Sequence, residues 1–93
     1  MKKRKIGLLG AGHLGKIHLK CILATDCWEL AGIYDANERV AQAAAEQFGV
    51  TAFTSSAELM EQVEAVDIVT PTPSHFNLAA AAIRAGKHVF IEK

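Results

Sequence analysis

The chain has 93 residues, 51% hydrophobic and 22% charged, which predicts one folded domain over 1–93 and excludes a disordered tail. Ten basic residues balance ten acidic ones, so the zero net charge gives no electrostatic reason to expect binding to nucleic acid or to a membrane surface. Cys21 and Cys27 lack the spacing of a zinc or redox motif, so we predict no metal site and a reducing, cytoplasmic location.

Short apolar runs alternate with stretches of helical periodicity along the chain. Strands are predicted at five such runs, 6–9, 29–34, 51–53, 66–70 and 88–91. Helices are predicted between them, over about 14–24, 37–49, 55–62 and 74–86. This alternation predicts an α/β domain, a Rossmann-type doubly wound parallel sheet of five strands with four helices.

Local signals mark the ends of the predicted helices. Asn37, Ser55 and Ser74 are expected N-caps, and Gly49 and Gly86 are expected to end the helices that precede them. Proline restricts the residue before it, so the stretch Pro71-Thr72-Pro73 is expected to be extended. In the first helix, we expect an apolar stripe made of Leu14, Ile17, Cys21 and Ile22.

A glycine motif, Gly10-Ala11-Gly12-His13-Leu14-Gly15, joins the first predicted strand to the first predicted helix. In this context, the G-x-G-x-x-G pattern is typical of dinucleotide binding. Gly10 allows a tight turn, Gly12 lets a pyrophosphate approach the backbone, and Gly15 lets the helix pack closely on the strand. The phosphates are expected at the N-terminus of this helix, where backbone contacts from residues such as His13 and Leu14 matter more than their side chains.

Asp35 ends the second predicted strand, 20 residues after Gly15. An acid at this place accepts hydrogen bonds from the adenosine ribose hydroxyls and repels a 2′-phosphate, so we predict NAD rather than NADP as cofactor. Arg39, four residues further along the chain, is close enough to reach a 2′-phosphate and so to favour NADP, but on a helix a solvated side chain is the preferred interpretation.

Two further segments follow predicted strands. Thr70-Pro71-Thr72, with His75 after it, follows the fourth predicted strand, and Glu92-Lys93 follows the fifth. Ligands of open parallel sheets bind beyond the carboxyl ends of the strands, so the first segment is predicted near the nicotinamide end of a cofactor. From the residues alone, Lys93 is either a proton-transferring group or a solvated terminal lysine.

Taken together, the glycine loop with His18 after it, Asp35, Thr70-Pro71 to His75, and the ending Gly86–Lys93 resemble the Gfo/Idh/MocA oxidoreductases. The resemblance implies an NAD(P)-dependent dehydrogenase acting on a small molecule, a sugar, an inositol or a related polyol. It also implies that Lys93 contacts both the nicotinamide and the substrate hydroxyl, that Glu92 lies near the cofactor, and that His18 is structural.

Proteins of this family typically continue with a proline after the lysine, and with a second domain that binds substrate and forms oligomer contacts. The chain is therefore expected to be the cofactor-binding fragment of a homo-oligomeric enzyme, without turnover of its own. Two alternatives stay open at this point: an NAD(H)-sensing module without chemistry, and a related reductase acting on an imine or a tetrapyrrole.

Overall fold

The computed structural model describes residues 4–69 and 72–91, with the backbone alone for residues 72–76. Within these residues the chain forms four strands and four helices. Their order is β1 (Arg4–Leu9), α1 (His13–Ala24), β2 (Trp28–Tyr34), α2 (Glu38–Phe48), α3 (Ser56–Glu61), β3 (Ala65–Ile68), α4 (Thr72–Arg84) and β4 (His88–Ile91).

The four strands form one parallel sheet in the order β2-β1-β3-β4. Leu9 at the end of β1 is in register with Tyr34 of β2 and Ile68 of β3, and Ile68 is in register with Ile91 of β4. The carboxyl ends of all four strands therefore lie along one edge. The chain moves from β1 to β2 on one side and later returns to β3 on the other, which creates the crevice where open α/β sheets bind ligands.

Helices cover both faces of the sheet, because neighbouring residues of a strand point in opposite directions. Leu8 and Leu9 of β1 are both fully buried but belong to different cores. The core beneath α1 and α2 contains Ile6, Leu8, Ala11, Leu19, Ile22, Ile33, Ala44 and Ala65. The core beneath α3 and α4 contains Leu9, Leu59, Met60, Val63, Val66, Ile68 and Ala82. The predicted doubly wound architecture is confirmed.

The strand expected over 51–53 is reduced to a single bridge, so the sheet has four strands rather than the predicted five. Ala52 pairs in parallel with Ile33 of β2. The Ile33 N–H donates to the Thr51 carbonyl over 2.9 Å, and the Phe53 N–H donates to the Ile33 carbonyl over 2.8 Å. The segment cannot extend further as a strand, because the cap of α3 follows two residues later at Ser55.

The helix ends follow their predicted caps in most places. Asn37 accepts hydrogen bonds from the first turn of α2, Ser55 does so for α3, and Gly49 ends α2 with a φ of 66°. The start of α4 differs from the prediction. Thr72 and Pro73 were expected to be extended and Ser74 to cap the helix, but the helix begins at Thr72. Proline is compatible with a first turn, because its missing N–H would have no partner there.

The buried face of α1 is shifted from the predicted stripe. Leu19 and Ile22 are buried, whereas Leu14 and Ile17 are 38% and 46% exposed. Cys21 is exposed with a free thiol. Across the described ranges, no helix combines the length and the apolar character that crossing a bilayer requires.

Candidate functional site

The loop between β1 and α1 is fixed on both sides by the neighbouring strands. The Gly10 N–H donates to the Tyr34 carbonyl over 2.8 Å, and the Val69 N–H donates to the Leu9 carbonyl over 2.8 Å. Gly10 has a φ of 110°, in the left-handed region that favours glycine. The tight turn expected at Gly10 is therefore present. It follows β1, the strand on whose two sides β2 and β3 lie.

The carboxylate of Asp35 lies directly after β2 and binds two backbone amides. Oδ2 accepts a hydrogen bond from the Ala11 N–H, and Oδ1 accepts one from the Asn37 N–H, each over 2.8 Å. Asp35 is half-buried beside the glycine loop. A carboxylate oxygen accepts more than one hydrogen bond, so both oxygens can still accept from ligand hydroxyls.

The N-terminus of α1 is open towards the same edge of the sheet. Gly12 occupies the N-cap position, and the Lys16 N–H donates to its carbonyl over 2.9 Å. The amides of residues 13–15 precede this bond, so the helix itself offers them no carbonyl. A Cβ placed on Gly12 would meet no atom within 4 Å. This space fits a pyrophosphate held by backbone amides and by the positive end of the helix dipole.

Gly15 has the opposite environment, on the inner side of the same helix. A Cβ placed there would lie 2.1 Å from the Gly10 carbonyl oxygen and 3.4 Å from Cγ2 of Val69. The distance of 2.1 Å is far below any carbon–oxygen contact. The first turn of α1 can therefore pack this closely on the loop only because residue 15 is a glycine.

A basic depression of about 370 Å³ lies beside the loop, between the beginnings of α1 and α2. His13, Lys16 and Arg39 supply its charged or ionisable groups, and Ala11, Gly12, Val40 and Ala43 complete the lining. Two permanent cations near a helix N-terminus create a positive potential that attracts phosphate groups. Of these three residues, His13 was predicted in the site and Arg39 was considered as a 2′-phosphate ligand, whereas Lys16 was not predicted from the sequence.

The remaining predicted site residues are only partly covered by the structure. Those outside the described residues are Thr70, Pro71, Glu92 and Lys93. Thr72 and His75 lie in the first turn of α4, for which only the backbone is described. Because β3 ends at Ile68 and β4 at Ile91 on the edge that carries the glycine loop, the segments that follow both strands begin at this edge.

A pair between His18 and Asp67 links α1 to the sheet, and the sequence interpretation missed its acidic member. Asp67 is 8% exposed, and it is the single buried charged side chain among residues 4–69 and 77–91. Its Oδ2 lies 2.6 Å from Nδ1 of His18. The signal in the sequence is a charged residue inside the apolar run Ala65–Val69. Both residues line a groove of about 620 Å³ with Trp28 and Phe90, and no residue of the glycine loop lines this groove.

Comparison with known proteins agrees with this geometry. Residues 4–93 match the family model GFO_IDH_MocA, described as an oxidoreductase family with an NAD-binding Rossmann fold. UDP-N-acetylglucosamine 3-dehydrogenase of Acidithiobacillus ferrooxidans is 46% identical over 90 residues, which cover 96% of this chain and 28% of that protein. Inositol 2-dehydrogenase of Rhizobium meliloti is 39% identical over 90 residues, covering 96% and 27%. The chain thus spans little more than a quarter of these relatives.

Solved structures give the same result. UDP-N-acetylglucosamine 3-dehydrogenase GnnA from Acidithiobacillus ferrooxidans matches with a TM-score of 0.91 at 41% identity, over 100% of this chain and 30% of that chain. GenD2 from gentamicin A biosynthesis, solved in complex with NAD, matches with a TM-score of 0.92 at 29% identity, over 100% and 27%. The similarity therefore includes the whole of this chain and the first strand, loop and helix that carry the glycines.

Proposed function

The chain belongs to the Gfo/Idh/MocA oxidoreductase family with its NAD-binding Rossmann fold, and we propose that it is the cofactor-binding part of an NAD(P)-dependent dehydrogenase. The proposal depends above all on one observation, the open and uncapped first turn of α1 beside the glycine loop. The pyrophosphate binds the amides of this turn, with Gly10, Gly12 and Gly15 shaping the loop and His13 and Leu14 contributing backbone groups.

Asp35 supports NAD as the preferred cofactor. Its carboxylate stands at the end of β2 with both oxygens fixed by backbone amides. A negative charge held at this position accepts hydrogen bonds from ribose hydroxyls and repels a 2′-phosphate. Lys16 and Arg39, which line the adjacent basic depression, oppose this repulsion. We therefore propose binding of both cofactors, with NAD(H) bound more tightly than NADP(H).

The substrate class is a sugar, an inositol or a related polyol. Support comes from the relatives, whose names specify dehydrogenation of a UDP-sugar and of inositol. The bound nicotinamide supplies the hydride chemistry. Lys93 is proposed to handle the hydroxyl proton, with Glu92 beside it. The first segment beyond β3, Thr70, Pro71, Thr72 and His75, is proposed to lie at the nicotinamide end.

A whole enzyme of this kind needs more chain than the 93 residues. Because the relatives are three to four times as long, we propose that substrate binding and homo-oligomer contacts belong to the remainder of the protein. The two exposed free thiols, Cys21 and Cys27, support a reducing cytoplasmic compartment.

Isothermal titration calorimetry of the chain with NADH and, separately, with NADPH tests the proposal. We expect saturable binding of both dinucleotides at one site, with the lower Kd for NADH. Failure of a folded sample to bind either dinucleotide would contradict a cofactor-binding role. Tighter binding of NADPH would contradict the preference assigned to Asp35 and leave the dinucleotide site itself supported.

A further inference from the structure

We propose that Asp35 is a positioning residue that holds the glycine loop in its binding shape, in addition to contacting the ribose. This inference rests on the proposed function, because the loop it positions is the proposed phosphate site. In the ribose role, the carboxylate accepts hydrogen bonds from the hydroxyls of a bound ligand. The positioning role concerns the two hydrogen bonds that the carboxylate already makes within the protein.

The first of these bonds fixes the middle of the loop. Ala11 is fully buried, and its N–H donates to Oδ2 of Asp35 over 2.8 Å. The preceding amide, that of Gly10, donates to the Tyr34 carbonyl at the end of β2. Two successive loop amides are therefore anchored to Tyr34, the last residue of β2, and to Asp35 directly after it, and only Asp35 uses its side chain.

The second bond connects the same carboxylate to α2. Oδ1 of Asp35 accepts from the Asn37 N–H over 2.8 Å. The side chain of Asn37 in turn accepts from the Arg39 N–H over 3.0 Å and the Val40 N–H over 3.4 Å, which caps α2. One carboxylate thus joins the glycine loop, the turn after β2 and the helix that carries Arg39.

The chemistry of the carboxylate is what makes these two bonds possible together. Both oxygens of an ionised aspartate accept hydrogen bonds, whereas an asparagine offers one accepting oxygen and one NH₂ donor. In an Asp35→Asn variant, either the Ala11 N–H or the Asn37 N–H must therefore face a second donor. In either orientation the buried Ala11 N–H no longer faces a charged acceptor, so its hydrogen bond is lost or becomes a weaker bond to a neutral oxygen, and the loop is held less firmly.

Amide hydrogen exchange tests the positioning role without any nucleotide. In the unaltered chain, we expect the Ala11 amide to exchange at least tenfold more slowly than the open amides of His13 and Leu14. Asp35→Asn should raise the Ala11 rate by about tenfold, the effect of replacing a charged acceptor by a neutral oxygen or by a donor. Asp26→Asn, which removes a carboxylate from the exposed turn before β2, is the matched control and should leave the rate unchanged.

Binding of ADP and of 2′,3′-dideoxy-ADP separates the two roles of Asp35. Both probes carry the pyrophosphate, but only ADP has ribose hydroxyls. If Asp35 positions the loop, Asp35→Asn weakens the binding of both probes, by about tenfold for the dideoxy analogue. If Asp35 contacts only the ribose, the variant and the unaltered chain bind the dideoxy analogue with the same Kd, and the inference is wrong.

The two measurements distinguish failure of the inference from failure of the proposed function. An unaltered chain that binds no nucleotide contradicts the proposed function, while the exchange rate of Ala11 still decides the positioning role. An Ala11 amide that exchanges as fast as that of His13 in the unaltered chain overturns the inference, even if the Asp35→Asn variant cannot be obtained folded.

Discussion

Nδ1 of His18 in α1 lies 2.6 Å from Oδ2 of Asp67 in β3, so the imidazole ring contacts the carboxyl group that is buried between the sheet and the first helix. Asp67 occupies an inner strand, between Val66 and Ile68, which are both fully buried on the opposite face. A carboxylate in this position is costly to bury unless it accepts a hydrogen bond. The pair therefore holds α1, and with it the glycine loop, in place on the sheet.

Replacement of His18 by alanine should destabilise the fold by about 3 kcal/mol, because it removes the imidazole that pairs with the buried Asp67. Urea denaturation of both chains at neutral pH measures this loss. The matched comparison is the double variant His18→Ala with Asp67→Ala, which removes both partners. Its loss of stability should be smaller than the sum of the two single losses. Simple additivity would show that the contact contributes nothing to stability.

Gly15→Ala is expected to damage folding itself. Its new methyl group would lie 2.1 Å from the Gly10 carbonyl oxygen, and that oxygen belongs to backbone that is anchored to β2. Overpacking of this kind costs about 1–3 kcal/mol, which thermal denaturation followed by circular dichroism will detect as a lower Tm. An unchanged Tm would mean that α1 can move away from the loop without loss of stability.

Gly12→Val should have the opposite combination of effects. The Gly12 backbone is extended, with a φ of −74°, and a Cβ there meets no protein atom. The variant should therefore keep its Tm within a few degrees but lose dinucleotide binding, because the valine side chain occupies the space proposed for the pyrophosphate. Calorimetry with NADH checks this expectation, and normal binding by the variant would place the phosphates elsewhere.

Arg39→Ala should weaken the binding of NADPH by about tenfold, the usual effect of losing one charge-assisted hydrogen bond, and change that of NADH by less than about twofold. The reason is its place in the basic depression beside the glycine loop, where we expect it to bind the 2′-phosphate, a group that NADH lacks. Arg84→Ala, at the end of α4, is the control and should affect neither cofactor. Equal losses of affinity for both cofactors would show that Arg39 attracts dinucleotides by its charge and does not recognise the 2′-phosphate.

The parts of the structure that were predicted from sequence depend on local chemistry. Asn37 and Ser55 cap helices because their side chains reach amides two and three residues ahead, and Gly10 turns the chain by its own backbone freedom. Asp35 was placed at the sheet edge by its distance from the glycine motif. None of these features needs knowledge of a distant partner.

The parts that differ depend on contacts between distant segments. In α1, apolar residues occur on two overlapping stripes, and periodicity alone favoured the one that contains Leu14 and Ile17. The structure buries Leu19 together with Ile22, the one residue of the predicted stripe that is buried, because Gly15 lies on that side and packs against the loop. The importance of Asp67 was missed for a similar reason, since its partner is 49 residues away.

The short segment after α2 closes one side of the sheet to additional strands. Ile33 uses both its N–H and its carbonyl on residues 51–53, so the outer edge of β2 is blocked near its end. On the opposite side, β4 pairs with β3 alone within the described residues, and its Phe90 and Ile91 are half-exposed. An additional strand would therefore join this sheet beside β4 rather than beside the end of β2. Within the described residues, the outer backbone N–H and carbonyl groups of β4 pair with no other strand.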